Sequence, residues 1–331
     1  MRLIEIVADA GHTDTLSGIA TQHDITDYWW GAPADDGRRS FRMLVADETR
    51  QSVMDAIQNL FGGSDNVRIV VMPVDAVLPR EPQEPGSKVA ATREELYTQI
   101  GAGARIDSNY LLLTVLSTIV AAVGLIEDNV AVVVGAMVIA PLLGPILALA
   151  FATSLGDTAL TWQASRAALL GLATAFALSF AIGLGWPVDV GRGHMLVAST
   201  EILARTDVGM DSAVLALASG AAAVLSLTTG LSSTLVGVMV AVALLPPTAT
   251  LGMLAGGGHA ELAFGALLLL AVNIVCVIVA AKAVFLVRGV RPRTWYERRK
   301  AQQSTLFYGV FWALLLVVLL AAVVARQHVA R

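Results

Sequence analysis

Two proline-bearing motifs lie inside stretches that are otherwise apolar. They are Gly135-Ala-Met-Val-Ile-Ala-Pro-Leu-Leu-Gly-Pro145 and Gly237-Val-Met-Val-Ala-Val-Ala-Leu-Leu-Pro-Pro247. They align at an offset of 102 residues, and from Val134/Val236 onward seven of 12 positions are identical, among them Gly135/Gly237, Met137/Met239 and Pro145/Pro247. Proline removes an N–H and clashes with the preceding turn, so Pro141, Pro145, Pro246 and Pro247 are expected to break the helices that carry them, with Gly144 loosening the first. A half-helix that restarts after such a break aims its N–H groups and positive dipole end inward. Two such ends would favour an anion or an electron-rich neutral group, and the ends of the preceding halves a cation. The competing structural reading is two kinked helices packed tightly through Gly and Ala.

The other polar residues in apolar surroundings are mild. Ser117, Thr118, Ser219, Ser226, Thr228, Thr229, Thr248 and Thr250 carry hydroxyls that can bond back to their own helices. Asn273 is costlier to bury, which makes it a stronger site candidate. A substrate or ion pathway is therefore expected to use Met137, Pro141, Gly144, Pro145, Met239, Pro246, Pro247, Thr248 and Asn273. Glu127-Asp128-Asn129 reads either as a solvated hairpin or as a mouth that gathers cations. Glu201 and Arg205 stand four apart, as an ion pair on a surface helix or on a lid over the outer mouth. Lys282 is expected to snorkel toward the cluster that starts at Arg288. No carboxylate falls mid-span, which argues against a proton- or sodium-coupled mechanism that needs one. Cys276 is the one cysteine, so no disulfide and no cysteine-based metal site forms within a chain, and no cofactor is implied. HExxH, GxSxG, P-loop and GxGxxG patterns are all missing, which argues against an enzyme.

These residues need a membrane scaffold. The chain of 331 residues is 56% hydrophobic and 15% charged, and the charge is uneven. Residues 1–107 hold 10 basic and 17 acidic residues, whereas residues 108–331 hold 12 and 9. Apolar segments of spanning length fall near 109–126, 130–154, 164–186, 212–230, 234–256, 262–287 and 305–325. Seven spans give a polytopic α-helical membrane protein. The first six form two three-span units, 108–187 and 210–287, which enter from opposite sides and so make an inverted 3+3 repeat. Basic residues from Arg288 to Lys300 place the 288–304 loop in the cytoplasm, an even number of spans from an acidic head without a signal-peptide pattern. The last span and tail fill 305–331; the basic residues of that tail run against this orientation.

The head, residues 1–80, reads as strand Arg2–Val7, helix Thr13–His23, strand Ile25–Trp30, a turn at Gly31–Gly37, strand Arg38–Ala46, helix Glu48–Phe61 and strand Val67–Val74. That βαββαβ order is the ferredoxin-like one. Trp29 and Trp30 should place one ring on each sheet face. The head serves either as an assembly anchor or as a sensor with a small-molecule ligand. Its acidity argues against nucleic acid. Residues 81–107 should be a proline-rich linker and a surface amphipathic helix begun by the Thr92/Glu95 capping box, serving as a connector.

With Gly124-Leu-Ile-Glu-Asp-Asn-Val and the two proline motifs, the chain resembles the bacterial membrane-protein family called domain of unknown function 389. The Glu201–Thr206 and Ser219-Gly220 stretches fit as well. The resemblance implies a multi-spanning protein of the bacterial inner membrane and carries no substrate. The expectation is a transporter or channel for a small solute or ion, in a lipid bilayer and as a homo-oligomer, with the head cytoplasmic. The alternative is a sensor or scaffold without transport.

Overall fold

The computed structural model describes residues 1–46, 49–61, 66–74, 93–186, 199–229, 243–289 and 295–329. They divide into two units, Met1–Glu94 and Glu95–Arg331.

In the first unit, alternation of apolar residues builds a four-stranded antiparallel sheet. Its strands are β1 (Arg2–Asp9), β2 (Tyr28–Pro33), β3 (Arg38–Val45) and β4 (Arg68–Pro73), in the order β2-β3-β1-β4. Pairing of Ile4 with Met43 and Ile6 with Phe41 puts these side chains on one face. There they bury Leu16, Ile19 and Ala20 of α1 (Thr13–Gln22) and Val53, Met54 and Ile57 of α2 (Arg50–Phe61). β2 starts later than the sequence suggests. Ile25 is used instead to close α1, donating to Ala20 O at 2.9 Å after Asp24 turns at positive φ. The strand then runs through Gly31 to Pro33 with a shift in register rather than turning there. Trp30 packs on Phe41 with ring centroids 4.4 Å apart, while Trp29 is exposed.

The second unit is helical: α3 (Arg93–Gly103), α4 (Ser108–Ile126), α5 (Val130–Ile139), α6 (Leu143–Leu155), α7 (Thr158–Gly185), α8 (Thr200–Leu203), α9 (Met210–Thr229), α10 (Leu245–Gly256), α11 (Ala260–Val287) and α12 (Trp295–Val329). Among the described residues five helices are long and apolar enough to cross a bilayer: α4, α7, α9, α11 and Tyr308–Arg326 of α12. α5 and α6 together make a sixth candidate, bent by 54°. Of the expected span 234–256 only α10 is described; Met239 and the rest of its motif up to Val242 lie outside the described residues.

The bend has a local cause. Ala140 precedes Pro141 and is extended at φ −67, ψ 122, because the proline ring excludes the helical region for its predecessor. Helix bounds recur at the motif offset of 102: α6 and α10 begin at Leu143 and Leu245, α7 and α11 span Thr158–Gly185 and Ala260–Val287, and α4 and α9 begin at Ser108 and Met210. Each of α6 and α10 packs against both 28-residue helices, α7 and α11.

Side chains are sorted as a bilayer requires. Leu112, Leu116, Ile119 and Val123 point outward from α4, whereas Thr114, Ser117 and Thr118 are buried. Those hydroxyls donate to carbonyls one turn back in the same helix, as do Thr153, Ser179 and Thr228. With lipid outside, helices associate mainly through close van der Waals packing, which small residues permit. Gly252 of α10 lies against the backbone of α7, where an added Cβ would stand 2.7 Å from Phe176 O. A Cβ at Gly135 would meet nothing within 4 Å. Gly252→Ala is therefore expected to destabilise the protein by about 1–3 kcal/mol through overpacking. Gly135→Ala should hold or raise the unfolding midpoint, since alanine favours a helix by up to about 1 kcal/mol over glycine. Thermal unfolding of both variants in detergent separates the two outcomes.

Candidate functional site

A cleft of about 300 Å³ lies within the second unit. Its walls come from α5 (Val130), the α8 turn (Glu201, Ala204, Arg205), α9 (Ser212, Leu215, Ala216, Ser219), the start of α10 (Ala243, Pro247) and α11 (Leu269, Asn273). Four of the residues the sequence offers for a pathway or gate meet here, Glu201, Arg205, Pro247 and Asn273, together with Ser219.

Asn273 is the fourteenth of 28 residues in α11, which puts it about 20 Å along the axis from either helix end. It is 6% exposed, and its Nδ2 donates to Ala243 O at 2.9 Å. That carbonyl precedes α10, and the residue four positions on is Pro247, which has no N–H to donate to it. Asn273 thus supplies the bond that irregular backbone at this depth needs.

The expected fan of N–H donors at the second restart does not form. Pro246 and Pro247 occupy the first turn of α10, so of its first three residues only Leu245 keeps an N–H. Thr248 closes the turn, donating to Leu244 O from its backbone at 3.2 Å and from its hydroxyl at 2.7 Å. The prolines therefore act as helix starters, placed where a missing N–H costs no intrahelical bond.

The first restart differs again. Pro145 sits in the first turn of α6, and Gly144 backs onto the end of α3, so close that an added Cβ would stand 2.6 Å from Gly103 O. α3 is more than the surface connector expected. Leu96, Ile100 and Ala104 are buried in this unit, and Tyr97 donates to Asp157, the N-cap of α7, at 2.8 Å. Met137 is 2% exposed on α5, and Pro141 lies half-buried in the bend. None of Met137, Pro141, Gly144, Pro145, Pro246 and Thr248 is among the residues that line the cleft.

At the hairpin, Asp128 adopts a left-handed φ of 55. Its Oδ1 accepts from Ser199 Oγ at 2.9 Å and from the Glu201 N–H at 2.8 Å. These bonds hold its carboxyl below the usual 3.8. Asn129 caps α5 through Ala131 and Val132, and Glu127 is exposed. The hairpin is thus an anchor for the α8 turn. Within that turn Arg205 pairs with Glu201 at 2.5 Å, and each side chain is 17% exposed. This pair lies on the cleft wall, a placement its i,i+4 spacing alone did not reveal. Lys282 does not snorkel: it is 5% exposed and donates to Thr153 O in the last turn of α6 at 3.2 Å. There its charge complements the negative helix end.

The profile of the family described as Domain of unknown function (DUF389) matches residues 137–279, which run from the first motif past Asn273. An uncharacterized protein of Methanocaldococcus jannaschii is 30% identical over 298 residues, covering 89% of this chain and 91% of the relative. That relative is archaeal, so the similarity extends beyond bacteria. No solved structure matches the chain.

Asp128→Ala removes the acceptor shared by Ser199 and Glu201, so hydrogen exchange at the Glu201 amide should speed up. Asp128→Asn tolerates the left-handed turn and should lie between. Because the folded pKa is depressed, the charged anchor is complete above the usual 3.8 and is lost only as pH falls through the folded value. The wild-type amide should stay protected across neutral pH.

Proposed function

The chain belongs to the DUF389 family, and we propose that it is a membrane transport protein whose cleft leads a small solute to the middle of α11, beside the start of α10. The carrying observation is one wall that holds both Asn273, at mid-helix, and Pro247, at the restart. Sites built where a discontinuous helix meets a mid-membrane polar residue are characteristic of transporters.

Seven spans with an inverted 3+3 repeat form the scaffold in this reading. It draws support from the shared motif, from helix bounds that recur at 102, and from α6 and α10 each packing on both α7 and α11. Three spans per unit reverse the entry side of the second. The head is a ferredoxin-like regulatory or assembly domain, supported by its β-α-β-β-α-β order and the strand order β2-β3-β1-β4. It faces the cytoplasm, on the same side as the Arg288–Lys300 cluster, and the protein works as a homo-oligomer in the plasma membrane.

Purified protein in liposomes should carry solute flux above protein-free vesicles across a panel of ions and uncharged solutes. Asn273→Leu, which leaves the Ala243 carbonyl without its donor and fills the cleft, should lower that flux about tenfold or more, the equivalent of about 1.4 kcal/mol. Thr174→Val on α7, which removes a hydroxyl bonded only within its own helix, should leave it unchanged. A panel without flux would favour a sensor or scaffold instead.

A further inference from the structure

Resting on that transport reading, we infer that the cleft takes a small uncharged solute of the polyol or amide class rather than an ion. Among the described residues the ionisable side chains on its wall are Glu201 and Arg205, which pair with each other at 2.5 Å. An ion moved to the depth of Asn273 would need a fixed counter-charge or a cage of dipoles to replace its water. Among the described residues, the two dipole sources at the start of α10 are already used. Proline occupies two of the first three positions of α10, and the Ala243 carbonyl is taken by Asn273.

What remains is neutral. Ser219 is 2% exposed and Asn273 6%, both on the cleft wall. Among the described residues neither Ser219 Oγ nor Asn273 Oδ1 has a hydrogen-bond partner. Both residues line the open cleft, where a water or a ligand can supply the missing bond. A hydroxyl that donates and accepts, next to an amide oxygen that accepts, matches a solute carrying hydroxyl or N–H donors. Leu215, Ala216, Pro247 and Leu269 supply apolar wall for its carbon skeleton. The volume is at the lower end of small-molecule pockets, about 300–1,000 Å³, and suits molecules the size of glycerol or urea.

The test uses the purified full chain in liposomes, with glycerol and urea gradients followed by light scattering and K⁺ and Cl⁻ movement by entrapped indicators. Glycerol or urea should equilibrate well ahead of protein-free vesicles, with K⁺ and Cl⁻ at background. Ser219→Val should slow the uncharged solute about three- to tenfold, the rate equivalent of one lost hydrogen bond. Ser219→Thr should restore it, and an unchanged thermal midpoint in detergent certifies that both variants fold. Ion flux without glycerol or urea flux overturns the solute class while leaving transport standing. No flux of either kind overturns the transport reading itself and this inference with it. Uncharged flux indifferent to Ser219→Val overturns the site.

Discussion

Backbone N–H and C=O groups inside hydrocarbon must find partners within the protein, and a helix that stops mid-membrane creates a set that its own turns cannot satisfy. The start of α10 and the bend between α5 and α6 meet that constraint differently. Before α10, Asn273 reaches across from α11 to the Ala243 carbonyl at 2.9 Å, and proline takes two of the positions whose N–H would otherwise be left open. At the bend between α5 and α6, the Ala140 N–H still closes on Ala136 O at 3.1 Å, and Gly103 at the end of α3 comes against Gly144. The second solution leaves the break against protein. The first leaves a cleft, because one amide side chain does the bonding while its neighbours Ser219 and Ala216 are small.

The cleft is neutral for reasons that begin at a turn. A left-handed Asp128 directs its carboxylate at the start of α8, where it accepts from Ser199 and Glu201. That holds a helix of only four residues in place and fixes the following turn, on which Arg205 folds back to Glu201. Asp128, Glu201 and Arg205 are thereby held in local structure. Lys282 follows the same logic, used at the last turn of α6 rather than on a pathway. The close backbone approach at Gly252 lets α10 lie along α7, and so sets where the restart and Asn273 can meet.

Much of this was legible in the residues. Apolar length and periodicity located the described spans, and the matched prolines located the helix start at Leu245 and the bend at Pro141. Asn273 stood out because an amide is costly at mid-span. Three things were not legible. Prolines in the first turn of a helix and prolines that kink its middle look alike in sequence, so the expected N–H donors were misjudged. The role of Asp128 depends on Ser199 and Glu201, more than 70 residues away. The amphipathic pattern of α3 did not show what its apolar face would meet: Leu96 and Ile100 are buried in the helical unit, and Gly103 comes against Gly144. In the head, alternation located the sheet, but Ile25 read as strand where it serves to close α1.

The central claim is that water reaches the middle of α11 beside the start of α10. Thiol accessibility tests it most directly. In a Cys276→Ala background, which removes the one native and fully buried thiol, Ser219→Cys in liposomes is exposed to a membrane-impermeant maleimide from one side and then the other. The account predicts labelling from one side without detergent. A thiol that stays unlabelled from both sides, yet reacts once the protein is unfolded, would contradict it.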